Sequence, residues 1–267
     1  MPKTAGICRI GIGGWAYKPW DESFYPKKLP KSRQLEYAAS KLTSIEVNST
    51  YYRLQKPETF ARWREQTPDG FVFSLKAPRF STNRRILAEA GSSIERFILS
   101  GLLELKNKLG VINWQFMPTK RFDPDDFESF LKLLPKSFDG HALRHAVEVR
   151  HDSFCSPNFI ALLREYEVAV VIAADSQHPQ IADITAPFVY LRIMGSEESE
   201  PLGYSDEELD HLAACARSIA NGREPHGLKM IAPPLVEQSA RDVFIYFISG
   251  YKAHNPRAAM ALIDRLK

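Results

Sequence analysis

The sequence predicts an α/β fold, a TIM-type (β/α)8 barrel formed as a single domain over residues 1–267, irregular in having one connection with a missing or short helix. Three observations predict it. Short β-like runs alternate with amphipathic segments almost from end to end, the order that parallel strands joined by crossover helices require. The runs number eight, and eight parallel strands in about 250 residues is the usual size of a closed barrel. No glycine-rich phosphate turn follows any of them: Gly11-Ile12-Gly13-Gly14 lacks the third glycine of a dinucleotide-binding sheet.

Taken in order, the expected strands run over 8–13, 43–48, 71–76, 110–116, 145–150, 168–173, 188–194 and 243–248. Each is a short apolar or alternating run of the kind a pleated, buried strand uses. The helices between them carry ordinary start signals: Ser32, Pro57, Ser92, Asp123-Pro124, Ser156-Pro157, Ser205 and Pro256 each precede an amphipathic stretch. The segment 92–106, SSIERFILSGLLELK, reads as one helix. The link 175–187 is too short for a full one. Residues 221–241 are proline-rich and read as a long loop, with GLKMIA (227–232) competing as a strand, so the eighth strand is the weakest assignment.

Composition narrows the class. The chain is 44% hydrophobic and 25% charged, ample for a real core. The opening MPKTAGICRIGIGG has no apolar run of a signal peptide, and no stretch approaches the length of a membrane span, so the expected location is cytoplasmic with no membrane partner. Cys8, Cys155 and Cys215 are widely spaced without a C-x-x-C pair, which indicates neither a disulfide framework nor a zinc site. A net charge of +3 is too mild to imply nucleic-acid binding by itself.

In a barrel of this type the C-terminal ends of the strands form the functional face. Here they are polar. Strand one leads into Trp15, Tyr17 and Trp20; strand two ends at Glu46 and Asn48, followed by Tyr51, Tyr52 and Arg53; strand three ends at Lys76, strand four at Gln115. Strand five ends at Glu148 and Arg150 with His151 beyond, strand six runs into Asp175, strand seven carries Arg192 and strand eight Tyr246. Alternation puts Glu46 with Asn48 and Glu148 with Arg150 on inward faces. A buried carboxylate must be paired, so Lys76, Arg150 or Arg192 should meet the two glutamates, either as a structural ion network or as a working site.

The strings GGWAYKPWDESFYP, IEVNSTYYRLQKPETFARWREQTPDGFVFSLKAPR, VEVRHDSF and YSDEELD closely resemble the YecE-like family, domain of unknown function 72 (DUF72), over nearly the whole chain. The resemblance implies a TIM-barrel fold and no particular activity. Carried over residue by residue, it singles out Trp15, Tyr17, Glu46, Asn48, Tyr51, Tyr52, Lys76, Glu148, Arg150, His151, Asp175 and Arg192. The chain departs from the family pattern at Gly13, where a serine is usual, at RFSTNRR (79–85), at WQFMPTKRF (114–122) and at YFISGYKAHNP (246–256).

The chemistry these residues support is anion binding. Imidazoles and thiolates are too few at the strand ends for a transition-metal centre, since of the seven histidines only His151 is well placed; no metal or cofactor is expected. No Gly-x-Ser-x-Gly elbow occurs. Glycoside chemistry with Glu46 and Glu148 depends on their separation, which sequence does not give. Lys76, Arg79, Arg84, Arg85, Arg53, Arg150, Arg192 and Lys252 all follow or end strands, and guanidinium forks bind phosphate bidentately. The expected enzyme is hydrolase- or lyase-like on a phosphate-bearing or nucleic-acid-derived substrate, with Glu46 or Glu148 as general acid or base and His151 as proton relay. Trp15, Tyr17, Asn48, Tyr51, Lys76, Arg150, Asp175 and Arg192 would bind the substrate. The alternative is a non-enzymatic module for nucleic acid or a phosphorylated metabolite, or a merely solvated basic rim.

Overall fold

A computed structural model describes residues 5–225, 227–228, 230–235 and 239–267. Eight parallel strands close into a barrel: β1 (Cys8–Gly13), β2 (Ser44–Val47), β3 (Val72–Lys76), β4 (Leu109–Gln115), β5 (Arg144–Glu148), β6 (Ala169–Ala174), β7 (Phe188–Ile193) and β8 (Asp242–Phe247), with β8 pairing back onto β1. The weakest expectation thus resolves in favour of the chain after residue 241. Within the 221–241 loop, residues 226, 229 and 236–238, and with them His226 and part of the competing strand 227–232, lie outside the described residues; the remainder is neither helix nor strand. The Asp183 carboxylate holds part of this loop by accepting from the Ile231 and Ala232 amides at 2.9 and 2.8 Å.

Crossover helices follow seven of the strands: α1 (Gln34–Lys41), α2 (Pro57–Glu65), α3 (Gly91–Ile98), α4 (Pro124–Lys132), α5 (Pro157–Tyr166), α6 (Asp206–Ala220) and α7 (Asn255–Leu266). Proline stands in the first turn of α2, α4, α5 and α7, where its missing N–H costs nothing. Asp123 caps α4 by accepting from two backbone amides, and Ser205 with Glu208 closes a capping box on α6. The described residues after β6 contain no helix before β7, in keeping with the short 175–187 link.

One helix expectation is corrected. The segment 92–106 is not continuous: α3 ends at Ile98, Gly101 adopts φ 98°, and a 3-10 segment follows over Leu102–Lys108. A side chain at 101 would stand 2.6 Å from Pro57, so the break both needs glycine and lets the chain pass close under α2. A two-stranded ribbon, Ser137–Phe138 with His141–Ala142, adds an antiparallel pair before β5.

Two apolar cores position the site. The larger fills the space between the outer strand faces and the helices, with Trp20, Trp114, Phe116 and Phe127 among its fully buried members. The smaller lies inside the barrel and contains Val72, Val111, Ala146, Phe188 and Phe244 near the strand starts. Above it comes a hydroxyl layer in which Tyr246 Oη lies 2.7 Å from both Ser44 Oγ and Ser74 Oγ. Charged side chains form the layer nearest the C-terminal ends. The barrel interior therefore grades from apolar to ionic along the strands, and this grading places the ions at the functional face.

Candidate functional site

The ionic layer is built by alternation along four strands. Glu46 on β2, Asn113 on β4, Glu148 on β5 and Arg192 on β7 point inward and are fully or almost fully buried. Arg192 joins the two carboxylates: one terminal nitrogen donates to Glu148 Oε2 at 2.6 Å and the other to Glu46 Oε1 at 3.1 Å. Tyr190, two residues earlier on the same face of β7, donates its hydroxyl to Glu46 Oε2 at 2.6 Å. Asn113 Nδ2 lies between the carboxylates, 3.5 Å from Glu46 and 3.4 Å from Glu148. Arg150 donates twice to Glu148 Oε1, at 2.9 and 2.6 Å, and its side chain stays 21% exposed.

Charge, not burial, decides the state of Glu148. Burial pushes its carboxyl up, but Arg192, Arg150 and Lys76 outweigh that and hold it at about 2. Burial likewise opposes the charge of Arg192, and the two glutamates overcome it, keeping the guanidinium more firmly protonated than usual. Arg192 Nε and Asn113 Oδ1 have no hydrogen-bond partner among the described residues.

Lys76 departs from the expected pairing. It meets neither glutamate; its Nζ donates to Gln115 Oε1 at 2.6 Å and stands 4.4 Å from the centre of the Tyr51 ring. The residue is 7% exposed. Burial and the neighbouring Arg192 push its ammonium down to about 8, with Glu46 and Glu148 pulling the other way. Among the described residues three cations face two carboxylates, so the layer carries one positive charge in excess, and Lys76 is the one of the three that no carboxylate meets.

Other sequence candidates fall elsewhere. Asn48 lies against Gly13, where a side chain would stand 2.9 Å from Asn48 Nδ2, so glycine at this position makes room for it. Trp15 is half-buried and packs edge-on against Trp63, while Trp20 is fully buried and donates its indole N–H to the Lys252 carbonyl; neither forms an open platform. Tyr17 lies under the Lys252 ammonium at 4.5 Å, and the exposed Tyr52 is approached by Arg79 at 5.9 Å. His151 Nδ1 accepts the Ser153 amide and lies 2.9 Å from Ser153 Oγ, which caps a 3-10 turn; that nitrogen is spent on local structure, against its expected use as a relay. Asp175 adopts φ 54° and lines a cavity of about 460 Å³ outside the barrel, between β6, β7 and α6. Arg84 and Arg85 also separate from the mouth, lining a shallow cleft of about 450 Å³ with Lys120 and Arg121. The cations thus form two groups instead of the one expected.

Three members of the site escaped the sequence reading. Tyr190 and Asn113 share inward faces with Arg192 and Gln115, so the i, i+2 rule applied to Glu46 and Glu148 would have found them. His178, which the sequence reading did not count as well placed, lies close enough to the mouth for Arg150, Glu148 and Arg192 to act on it. Burial and Arg150 lower its imidazole, with Glu148 opposing. Among the described residues no three His, Cys, Asp or Glu side chains gather as a metal site, and no helix is long and apolar enough to cross a membrane.

Residues 9–267 match the family model described as "Protein of unknown function DUF72". The chain belongs to the DUF72 family. Its DUF72 relatives include the UPF0759 protein YecE of Escherichia coli K12, 32% identical over 148 residues, and the UPF0759 protein YunF of Bacillus subtilis 168, 26% identical over 187 residues. The YecE match covers 54% of this chain and 49% of YecE, so the matched part spans about half the length of that relative; with YunF the shares are 67% and 64%. A DUF72 family protein from Thermotoga maritima superimposes with a TM-score of 0.74 at 21% identity, covering 97% of this chain and 99% of the other. A second, from Enterococcus faecalis, gives 0.72 at 19% identity, with 97% and 95% covered. The DUF72 barrel is thereby the fold of the chain, and the ionic layer lies at its C-terminal face.

Proposed function

We propose that the barrel mouth binds a small anionic compound, carrying phosphate or carboxylate, and acts on it by lyase-like or hydrolytic chemistry. The observation that carries this reading is Lys76, a nearly buried cation with no carboxylate partner in a layer that holds one positive charge in excess. Arg150, partly exposed, supplies a second donor at the same place. The expected division of labour changes. Glu148, held at about 2, is a weak base at neutral pH, so with Glu46 it sets the field of the site, and proton transfer passes to Lys76.

A second reading rests on a different observation. The cleft of Arg84, Arg85, Lys120 and Arg121 is flanked by Met117 and Ile86, 42% and 47% exposed, a mixture of cations and apolar surface that suits an extended anion such as single-stranded nucleic acid. One calorimetric experiment at low salt separates the two. Inorganic phosphate titrated into the protein should bind at a single site, weakened roughly tenfold or more by Lys76→Met and indifferent to Arg84→Ala with Arg85→Ala. Phosphate binding that survives Lys76→Met and disappears in the double variant contradicts the mouth as the anion site.

A further inference from the structure

Resting on the reading that the mouth takes an anion, we propose that Lys76 captures the carbonyl of an anionic aldehyde or ketone as an imine, the carboxylate or phosphate of that compound being held by the partly exposed Arg150. Lys76 differs from Lys108 and Lys120, and it is more deeply buried than Lys252, which also lies over aromatic rings. Lys108 is also nearly buried, but its Nζ donates to the Arg64 carbonyl and to both Thr67 oxygens, which leaves no open direction. Lys120 is tied to Asp126 at 2.7 Å. Lys76 has one hydrogen bond, to Gln115, and an aromatic face beside it. Gln115 fixes where the nitrogen sits, Tyr51 shields it from water, and two guanidiniums stand nearby.

Such surroundings favour the neutral amine, which is the nucleophile. With its ammonium lowered to about 8, roughly a tenth of Lys76 is neutral at pH 7, against a few parts in ten thousand for an exposed lysine. The nitrogen lone pair attacks the carbonyl carbon and a C–N bond forms. The C–O bond then breaks, and the oxygen leaves as water carrying both amine protons. A proton from solvent converts the imine into its cationic form, which an anionic substituent on the same compound neutralises.

The test is reductive trapping on the full chain. The protein is incubated with glyoxylate and cyanoborohydride at pH 7, hydride from the reagent reduces the iminium carbon to a stable secondary amine, and the modified lysines are mapped by peptide mass spectrometry. The expected result is labelling of Lys76 roughly tenfold or more faster than any other lysine, slowed by inorganic phosphate. Labelling spread over exposed lysines, with Lys76 no faster than the rest, overturns the proposal. A parallel phosphate titration tells the two failures apart: phosphate binding without preferential labelling removes the imine and leaves the anion site, and absence of both removes the anion site as well.

Discussion

Arg192 holds the mouth together at the scale of single residues, because two fully buried carboxylates depend on it. Desolvating each glutamate costs several kcal/mol, which only close, hydrogen-bonded counter-charge offsets. Glu148 has Arg150 in addition, whereas Glu46 keeps only Tyr190 and the long Asn113 contact once Arg192 is gone. Arg192→Ala should therefore destabilise the protein by about 3–5 kcal/mol in urea unfolding. A loss below about 1 kcal/mol would show that the layer is hydrated and contributes little to folding. The contacts of this residue were foreseen in kind but not in detail. Alternation placed Glu46 and Glu148 on inward faces and named Arg192 among their expected partners, yet which cation meets which carboxylate depends on strand register, and Lys76 reaching Gln115 across β3 and β4 is a consequence of the pairing Lys76 to Asn113 that no local pattern encodes.

At the scale of elements, the strands were legible because a barrel strand is buried on both sides and reads as a short apolar run, so all eight begin within one residue of their expected starts. Helix starts were legible through proline and capping residues. The break after α3 was not, since its cause is the approach of Gly101 to Pro57, a contact between distant parts of the chain. His178 was missed for a similar reason: a loop residue enters a site only through where the strands carry it. Between elements, His145 on β5 ties neighbouring segments together, accepting from the Trp114 indole at 3.1 Å on β4 and donating to the Pro135 carbonyl at 2.8 Å. Burial lowers its imidazole from 6.5 to about 4, with the Pro135 contact opposing. The unfolded chain therefore binds the proton first as pH falls. Stability from this residue is present above pH 6.5 and is lost between 6.5 and 4, by an amount on the order of 3 kcal/mol. The difference in urea stability between the native protein and His145→Gln should shrink across that window; a constant difference would mean that His145 titrates normally.

For the whole molecule, the barrel concentrates its charge by layering, apolar side chains near the strand starts, hydroxyls in the middle and ions at the C-terminal ends, and the excess cation emerges where (β/α)8 barrels place their function. The rim carries a second basic surface, but Lys120 there is already paired with Asp126 and Arg84 bonds the Phe80 carbonyl, so it presents less unspent charge than the mouth. The most direct measurement is a crystal structure of the protein grown with inorganic phosphate. Phosphate should be bound at the mouth, within hydrogen-bond distance of Lys76 Nζ and the Arg150 guanidinium. Phosphate found only in the Arg84–Arg121 cleft, with Lys76 still bonded to Gln115 alone, would contradict the mouth as the anion site.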